Sequence, residues 1–127
     1  VPSNAAILRR RLGLENAACF DLNAACSGFV YALTVAESMI VASATASNRS
    51  DFKRALVVAG ERPSRITNWA DRNTCVLLGD GAGAVVLEYD PSRAGILSTF
   101  IANEDDIHNS LTCPMPLEWC HPLVRTA

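Results

Sequence analysis

Cys26 stands in the run Asp21-Leu22-Asn23-Ala24-Ala25-Cys26-Ser27-Gly28-Phe29, between a short apolar stretch and a long one. That placement predicts a thiol at the start of a helix, where unpaired backbone N–H groups and the helix dipole favour an anion, so the cysteine becomes a thiolate more readily. Ala24, Ala25, Ser27 and Gly28 are small and leave room for a substrate to approach the sulfur. A buried structural cysteine is nevertheless the commoner fate of a lone thiol in an apolar context, and residue types alone favour that reading.

Other runs with chemical content weigh less. Gly79-Asp80-Gly81-Ala82-Gly83-Ala84 fits the spacing of a dinucleotide fingerprint and nearly that of a kinase glycine loop. The first needs a helix after the glycines, whereas Ala84-Val85-Val86-Leu87-Glu88-Tyr89 is rich in strand formers; the second needs a later lysine, and the one lysine, Lys53, lies upstream. A tight turn with close backbone approach accounts for the glycines better. His108, His121, Cys113 and Cys120 do not follow the spacing of zinc ligands, so no metal site is expected. Asn48-Arg49-Ser50 has the form of a glycosylation acceptor but no secretory signal accompanies it, and Arg9, Arg10 and Arg11 read as a solvated helical face.

The elements that must position these residues follow from pattern. Pro2, Ser3 and Asn4 supply helix-start chemistry before Ala5, Ala6, Ile7, Leu8 and Leu12, and Gly13 stands where that helix would end. Residues 17–23 carry Cys19, Phe20 and Leu22 without helical period and read as a buried strand. A long helix is expected from about Ser27; its apolar stretch, 29–46, is interrupted by Thr34, Glu37, Ser38 and Ser43, which suits a buried helix of a protein core rather than a membrane span. Residues 43–54 read as a surface loop. The β-branched run at 53–59 predicts a central strand buried on both faces, and the order helix, strand, helix, strand predicts parallel α/β layering. After a polar loop at 61–72, strands are expected at 74–78 and 84–89, joined by a hairpin or bulged glycine segment, with a last strand at 95–101. The proline-bearing end should be irregular.

The 127 residues are half hydrophobic and 19% charged, the balance of a soluble globular domain, with a formal charge of -2 that offers no field for nucleic acid. Five cysteines, an odd number with no Cys-x-x-Cys pair, and the lack of a secretory signal favour reduced thiols and the cytoplasm.

The segment around Cys26 resembles the active-site segment of β-ketoacyl-acyl carrier protein synthase III. Pro2-Ser3 with its helix, Ala55-Leu56-Val57-Val58, Ser64-Arg65, Asp71-Arg72-Asn73-Thr74 and Leu78-Gly79-Asp80-Gly81-Ala82-Gly83-Ala84 also resemble that family's segments, in its order. The resemblance runs from Val1 to about Thr112. It implies an α/β, thiolase-like layered fold of which residues 1–112 form part of the N-terminal half, a mixed sheet with a buried active-site helix, while residues 113–127 form a tail unlike the family. It further implies an acyltransferase in which acyl-CoA acylates Cys26 and malonyl-acyl carrier protein is then condensed onto the acyl group with loss of carbon dioxide. The Cys26 N–H would be one donor to the oxyanion, Arg65 would contact the adenine end of coenzyme A, and Leu78, where many members have phenylalanine, would line the acyl pocket. The resemblance implies no cofactor beyond these substrates, a homodimer paired through residues 17–23, and acyl carrier protein as partner. The family's catalytic histidine and asparagine segments have no counterpart here, so the chain is expected to be an incomplete piece. A non-catalytic thiolase-like module and an acyltransferase for a specialised starter unit are the alternatives.

Overall fold

A computed structural model of the chain describes residues 3–45, 52–105 and 107–108. Helix α1 (Asn4–Arg11) is followed by a 3-10 turn, Ala25–Ser27, that runs directly into helix α2 (Gly28–Thr45). Strand β1 (Arg54–Glu61), a second 3-10 turn at Pro63–Arg65 and strand β2 (Gly81–Glu88) complete the regular elements.

Both ends of α1 are closed by local chemistry. The Ser3 hydroxyl accepts the Ala6 N–H at 3.1 Å, as an N-cap serine does. At the other end Gly13 takes φ +66°, a left-handed conformation that glycine adopts without a Cβ clash. The Gly13 and Leu14 N–H groups then return to the Arg10 and Arg9 carbonyls at 3.3 and 3.0 Å, a Schellman closure.

Helix α2 contains no proline and no interior glycine, and three of its hydroxyls are turned back on the backbone. Thr34, Ser38 and Thr45 donate to the carbonyls of Val30, Thr34 and Val41 at 3.0, 2.8 and 2.9 Å, while the Tyr31 hydroxyl donates to the Asn103 side-chain oxygen at 2.7 Å and the Ser43 oxygen accepts Phe52 N–H at 3.0 Å. With its leading turn the helix covers 21 residues at mean hydropathy 1.5, long and apolar enough by length and composition to cross a membrane. A helix this apolar all round belongs either inside a protein or in a bilayer. Here α2 lies across β1 and touches β2.

The two strands pair antiparallel in continuous register from Arg54↔Glu88 to Glu61↔Gly81. Alternation along β1 turns Ala55, Val57 and Ala59 to one face and Leu56 and Val58 to the other. Ile40 on α2 and Val57 on β1, 5% and 6% exposed, are the buried apolar side chains among the described residues. On the opposite sheet face Leu56, Val58 and Val86, the last paired with Leu56, remain 41%, 45% and 66% exposed.

The helix at Asn4–Arg11, its glycine stop, the long helix after Cys26 and the strand near 53–59 match what the sequence implies. Other expectations do not hold. Residues 17–23 form no strand, because no neighbouring backbone among the described residues pairs with them. Residues 74–78 are not a strand either: Thr74 and Cys75 N–H groups bond back to the Asp71 carbonyl at 3.3 and 3.0 Å and Leu77 to Thr74 at 3.0 Å, which winds 71–77 into successive turns. With that strand gone, the glycine segment is no hairpin; β2 begins at Gly81, takes in Gly81 and Gly83, and pairs with β1 across the 62–80 connection. No strand forms at 95–101. The sheet of the described residues is two-stranded and antiparallel rather than parallel or mixed, and β1 is buried on one face at Val57 rather than on both. Helix α2, expected to be buried, leaves Val30, Met39 and Val41 at 50%, 39% and 44% exposure. The expected 43–54 loop is occupied by α2 up to Thr45 and by β1 from Arg54, while 46–51 and the irregular tail at 113–127 lie outside the described residues, as does the proposed boundary at 112.

Beyond the last sheet pair the ladder is extended by a side chain. Asp80 accepts the Ser64 N–H at 2.9 Å and the Ser64 hydroxyl at 2.6 Å, with the Arg62 guanidinium 3.9 Å away. The Ser64 hydroxyl, then its N–H, hold the Asp80 carboxyl below its ordinary 3.8, and Arg62 adds a smaller pull in the same direction. A carboxyl with a depressed folded-state value contributes stability that is complete above 3.8 and lost as pH falls through the lower folded value. In an NMR titration downward from pH 6, the Ser64 amide signal should therefore move with a midpoint below 3.8. Asp80→Asn should make that signal insensitive to pH, and a midpoint at or above 3.8 in the unaltered chain would contradict the clamp.

Candidate active site

Cys26 is the middle residue of the 3-10 turn that opens α2, and it is exposed. The geometry around it is defined by four consecutive N–H groups. Ala25 N–H bonds to the Asn23 side-chain oxygen at 3.1 Å, Ser27 N–H to the Ala24 carbonyl at 3.1 Å, and Gly28 N–H to the Ala25 carbonyl. The Cys26 N–H between them has no acceptor among the described residues. An unpaired N–H beside an exposed sulfur, at the positive end of a helix dipole, is the arrangement that can receive negative charge developing on an attacked carbonyl oxygen.

Ala25 carries φ +46°, the left-handed conformation appearing in a residue other than glycine directly before the thiol. Such a conformation persists only where the surroundings impose it. On one side α2 holds it; on the other Asn23 grips its N–H. Two residues earlier Asp21 accepts Asn4 and Ala5 N–H groups at 2.8 and 2.7 Å, so the segment leading to Cys26 is docked on the head of α1.

Arg65 and Leu78 fall at a different corner. Arg65 is the last residue of the 3-10 turn Pro63–Arg65 and is exposed; Leu78, 44% exposed, lies just ahead of β2. The Asp80 bonds to Ser64 bring the two together, since Ser64 adjoins Arg65 and Asp80 is two residues beyond Leu78. Among the described residues no hydrogen bond or ion pair joins Cys26 to either. A cavity of about 180 Å³ lined by Arg9, Arg10, Gly13, Leu14 and Glu15 includes none of the three, and the Arg9 guanidinium is engaged by the Glu15 carbonyl. No group of three His, Cys, Asp or Glu side chains able to hold a metal ion comes together among the described residues. Cys113, Cys120 and His121 lie outside them, and His108 is exposed.

Sequence reasoning missed the supporting residues Asp21, Asn23 and the Ser64–Asp80 pair. A signal for Asn23 was present: an Asn or Asp whose side chain accepts the N–H two residues on recurs at Asn68–Ala70, Asp71–Asn73 and Asp90–Ser92, at 3.1, 3.0 and 2.9 Å. The Asp21 and Asp80 bonds span 17 and 16 residues, a separation that local pattern does not reveal.

The chain matches the family 3-Oxoacyl-[acyl-carrier-protein (ACP)] synthase III over residues 20–104, which include Cys26, Arg65, Leu78 and both strands. A protein named beta-ketoacyl-[acyl-carrier-protein] synthase III from Wolbachia pipientis wMel is 49% identical over 106 residues, covering 84% of this chain and 31% of that protein. Its namesake from Xanthomonas campestris pv. campestris (strain 8004) is 52% identical over 100 residues, covering 79% of this chain and 28% of that one. Among solved structures, the 3-oxoacyl-[acyl-carrier-protein] synthase III of Aquifex aeolicus VF5 superimposes with a TM-score of 0.62 at 43% identity, over 72% of this chain and 27% of that chain. The likeness shows the α/β, thiolase-like fold that the motifs implied, and the chain spans about a third of the length of the curated relatives it matches. Residues 20–104 amount to more than half of the sequence, and the chain belongs to the 3-oxoacyl-[acyl-carrier-protein] synthase III family.

Proposed function

We propose that Cys26 is the acyl-accepting nucleophile of a condensing enzyme that starts fatty acid synthesis. The observation that carries the proposal is the exposed sulfur beside its own unpaired N–H at the head of α2, inside the region matched to the synthase family. In the first half-reaction the thiolate attacks the carbonyl carbon of an acyl-CoA, the bond from that carbon to the coenzyme A sulfur breaks, and free coenzyme A leaves. The Cys26 N–H stabilises the oxyanion while the tetrahedral carbon exists. In the second, malonyl-acyl carrier protein loses carbon dioxide; the electron pair of the broken carbon–carbon bond attacks the acyl thioester and expels the Cys26 thiolate. The product is a β-ketoacyl-acyl carrier protein, and the electrons balance without an oxidant or reductant.

Arg65 is assigned to the adenine end of coenzyme A and Leu78 to the acyl pocket, both from their places in the family motifs and their shared corner at Asp80. Acyl carrier protein is the expected macromolecular partner, the cytoplasm the expected compartment, and a homodimer paired along 17–23, where Phe20 is 56% exposed, the expected assembly. We read α2 as a core helix because it packs on β1 and carries Glu37 in mid-length.

A radiolabelled assay with acetyl-CoA and malonyl-acyl carrier protein, run on the protein as its own gene encodes it, tests the reaction. Cysteine-dependent β-ketoacyl product should form, and Cys26→Ala should lower its rate by about a thousandfold or more, the scale on which losing a covalent nucleophile acts. Product formed at an undiminished rate by Cys26→Ala would end the assignment.

The 127 residues expressed by themselves should behave differently, because they contain nothing resembling the family's histidine and asparagine segments. Removing one preorganised donor of this type costs about a hundred- to a thousandfold. Acylation of Cys26 without turnover is therefore expected of this piece in the same assay, and product at about one per second or faster would mean that a complete site lies within these residues.

A further inference from the structure

The first N–H groups of a helix have no intrahelical partners, and in α1 those of Asn4, Ala5 and Ala6 are answered by side chains. Ser3 answers one, its hydroxyl taking Ala6 N–H at 3.1 Å, while its carbonyl takes Ile7 N–H at 3.3 Å as the first bond of the helix ladder. The other two, Asn4 and Ala5, are taken by the two carboxylate oxygens of Asp21 at 2.8 and 2.7 Å. These are short charge-assisted bonds, made where the helix dipole is positive. Among the described residues α1 packs against no other helix or strand. The hydrogen bonds that tie it to the Cys26 segment are those of Asp21.

That tie has a specific consequence downstream. Residues 17–24 have no ladder to hold them. Between Asp21 and the thiol the chain is gripped once more, by Asn23 on Ala25 N–H, and then passes through the left-handed Ala25 before Cys26. A left-handed alanine relaxes when its surroundings permit, and relaxation would rotate the next peptide, which carries the Cys26 N–H. The fixed points that prevent this are the head of α2 on one side and Asp21 on the other.

We propose that Asp21 is a positioning residue for Cys26: its carboxylate, bonded across the head of α1, holds the segment that sets the thiol and its N–H at the head of α2. The proposal rests on the acyl-transfer reading for its chemistry but is tested first without it. In the protein as its own gene encodes it, alkylation of Cys26 by limiting iodoacetamide at pH 7 is mapped by peptide mass, with Cys75 in the 71–77 turns as internal reference. Asp21→Ala should lower the Cys26-to-Cys75 ratio about tenfold, within the range that small misplacements of reacting groups cost. Asp21→Asn, which keeps one acceptor oxygen, should recover part of the loss. Ser3→Ala removes a different bond from the same helix head and should leave the ratio within about twofold. A ratio unchanged in Asp21→Ala, or lowered equally by Ser3→Ala, overturns the proposal, the second because it would make Asp21 an ordinary helix cap. If Asp21→Ala does not fold by circular dichroism, the comparison of Asp21→Asn with Ser3→Ala decides on the same criteria. Acetylation of Cys26 by acetyl-CoA is then followed in the same variants and should fall in the same order. A wild-type protein that is alkylated at Cys26 yet takes no acetyl group would count against the acyl-transfer reading, while the alkylation ratios would still judge Asp21.

Discussion

The packing of α2 across β1 is the constraint on which the rest depends. Ile40 and Val57 are buried on the two elements that meet there, and no other apolar side chain of the described residues is buried. The orientation of α2 decides where its first turn points, and that turn carries Cys26. The helix is long and mostly apolar, and the hydroxyls of Thr34, Ser38 and Thr45 are satisfied by its own carbonyls. The exposed Val30, Met39 and Val41 of the helix and Leu56, Val58 and Val86 of the sheet are apolar surface of the kind that a larger fold covers. The matched relatives are about three times as long as the aligned region.

Around this frame the polar work is done by carboxylates acting at a distance along the chain. Asp21 docks the Cys26 segment on α1, and Asp80 docks the Pro63–Arg65 turn on the end of the sheet. Each uses both oxygens, which fixes direction as well as separation. Neither is buried, so their value lies in geometry more than in stability, exposed charged pairs being worth little. Asn23 and the left-handed Ala25 then set the peptide that presents the Cys26 N–H.

Features set by near neighbours were legible in the sequence. Ser3 and Gly13 bracket α1 because capping and the left-handed stop are decided within one turn, and the apolar run after Cys26 had the length of a helix. The Ala55–Val58 run, legible from its strand-forming residues, became a strand because β2 pairs with it along its whole length. Strand-like composition at 17–23, 74–78 and 95–101 did not make strands, since a strand exists only where another backbone pairs with it and composition cannot supply the partner. At 74–78 a local competitor won: Asp71 bonds to Asn73 N–H and to the Thr74 hydroxyl, starting a turn that the valine and leucines then follow. Cys26 was singled out by its motif, whereas the long-range bonds of Asp21 and Asp80 needed coordinates.

The most direct test is to incubate the protein with acetyl-CoA, digest it under conditions that preserve thioesters, and locate the acetyl group by mass spectrometry. An acetyl thioester on the peptide carrying Cys26, with Cys19 and Cys75 unmodified, is the expected result. An acetyl group on another cysteine, or on none while the fold is intact, would contradict the assignment of Cys26 as the nucleophile.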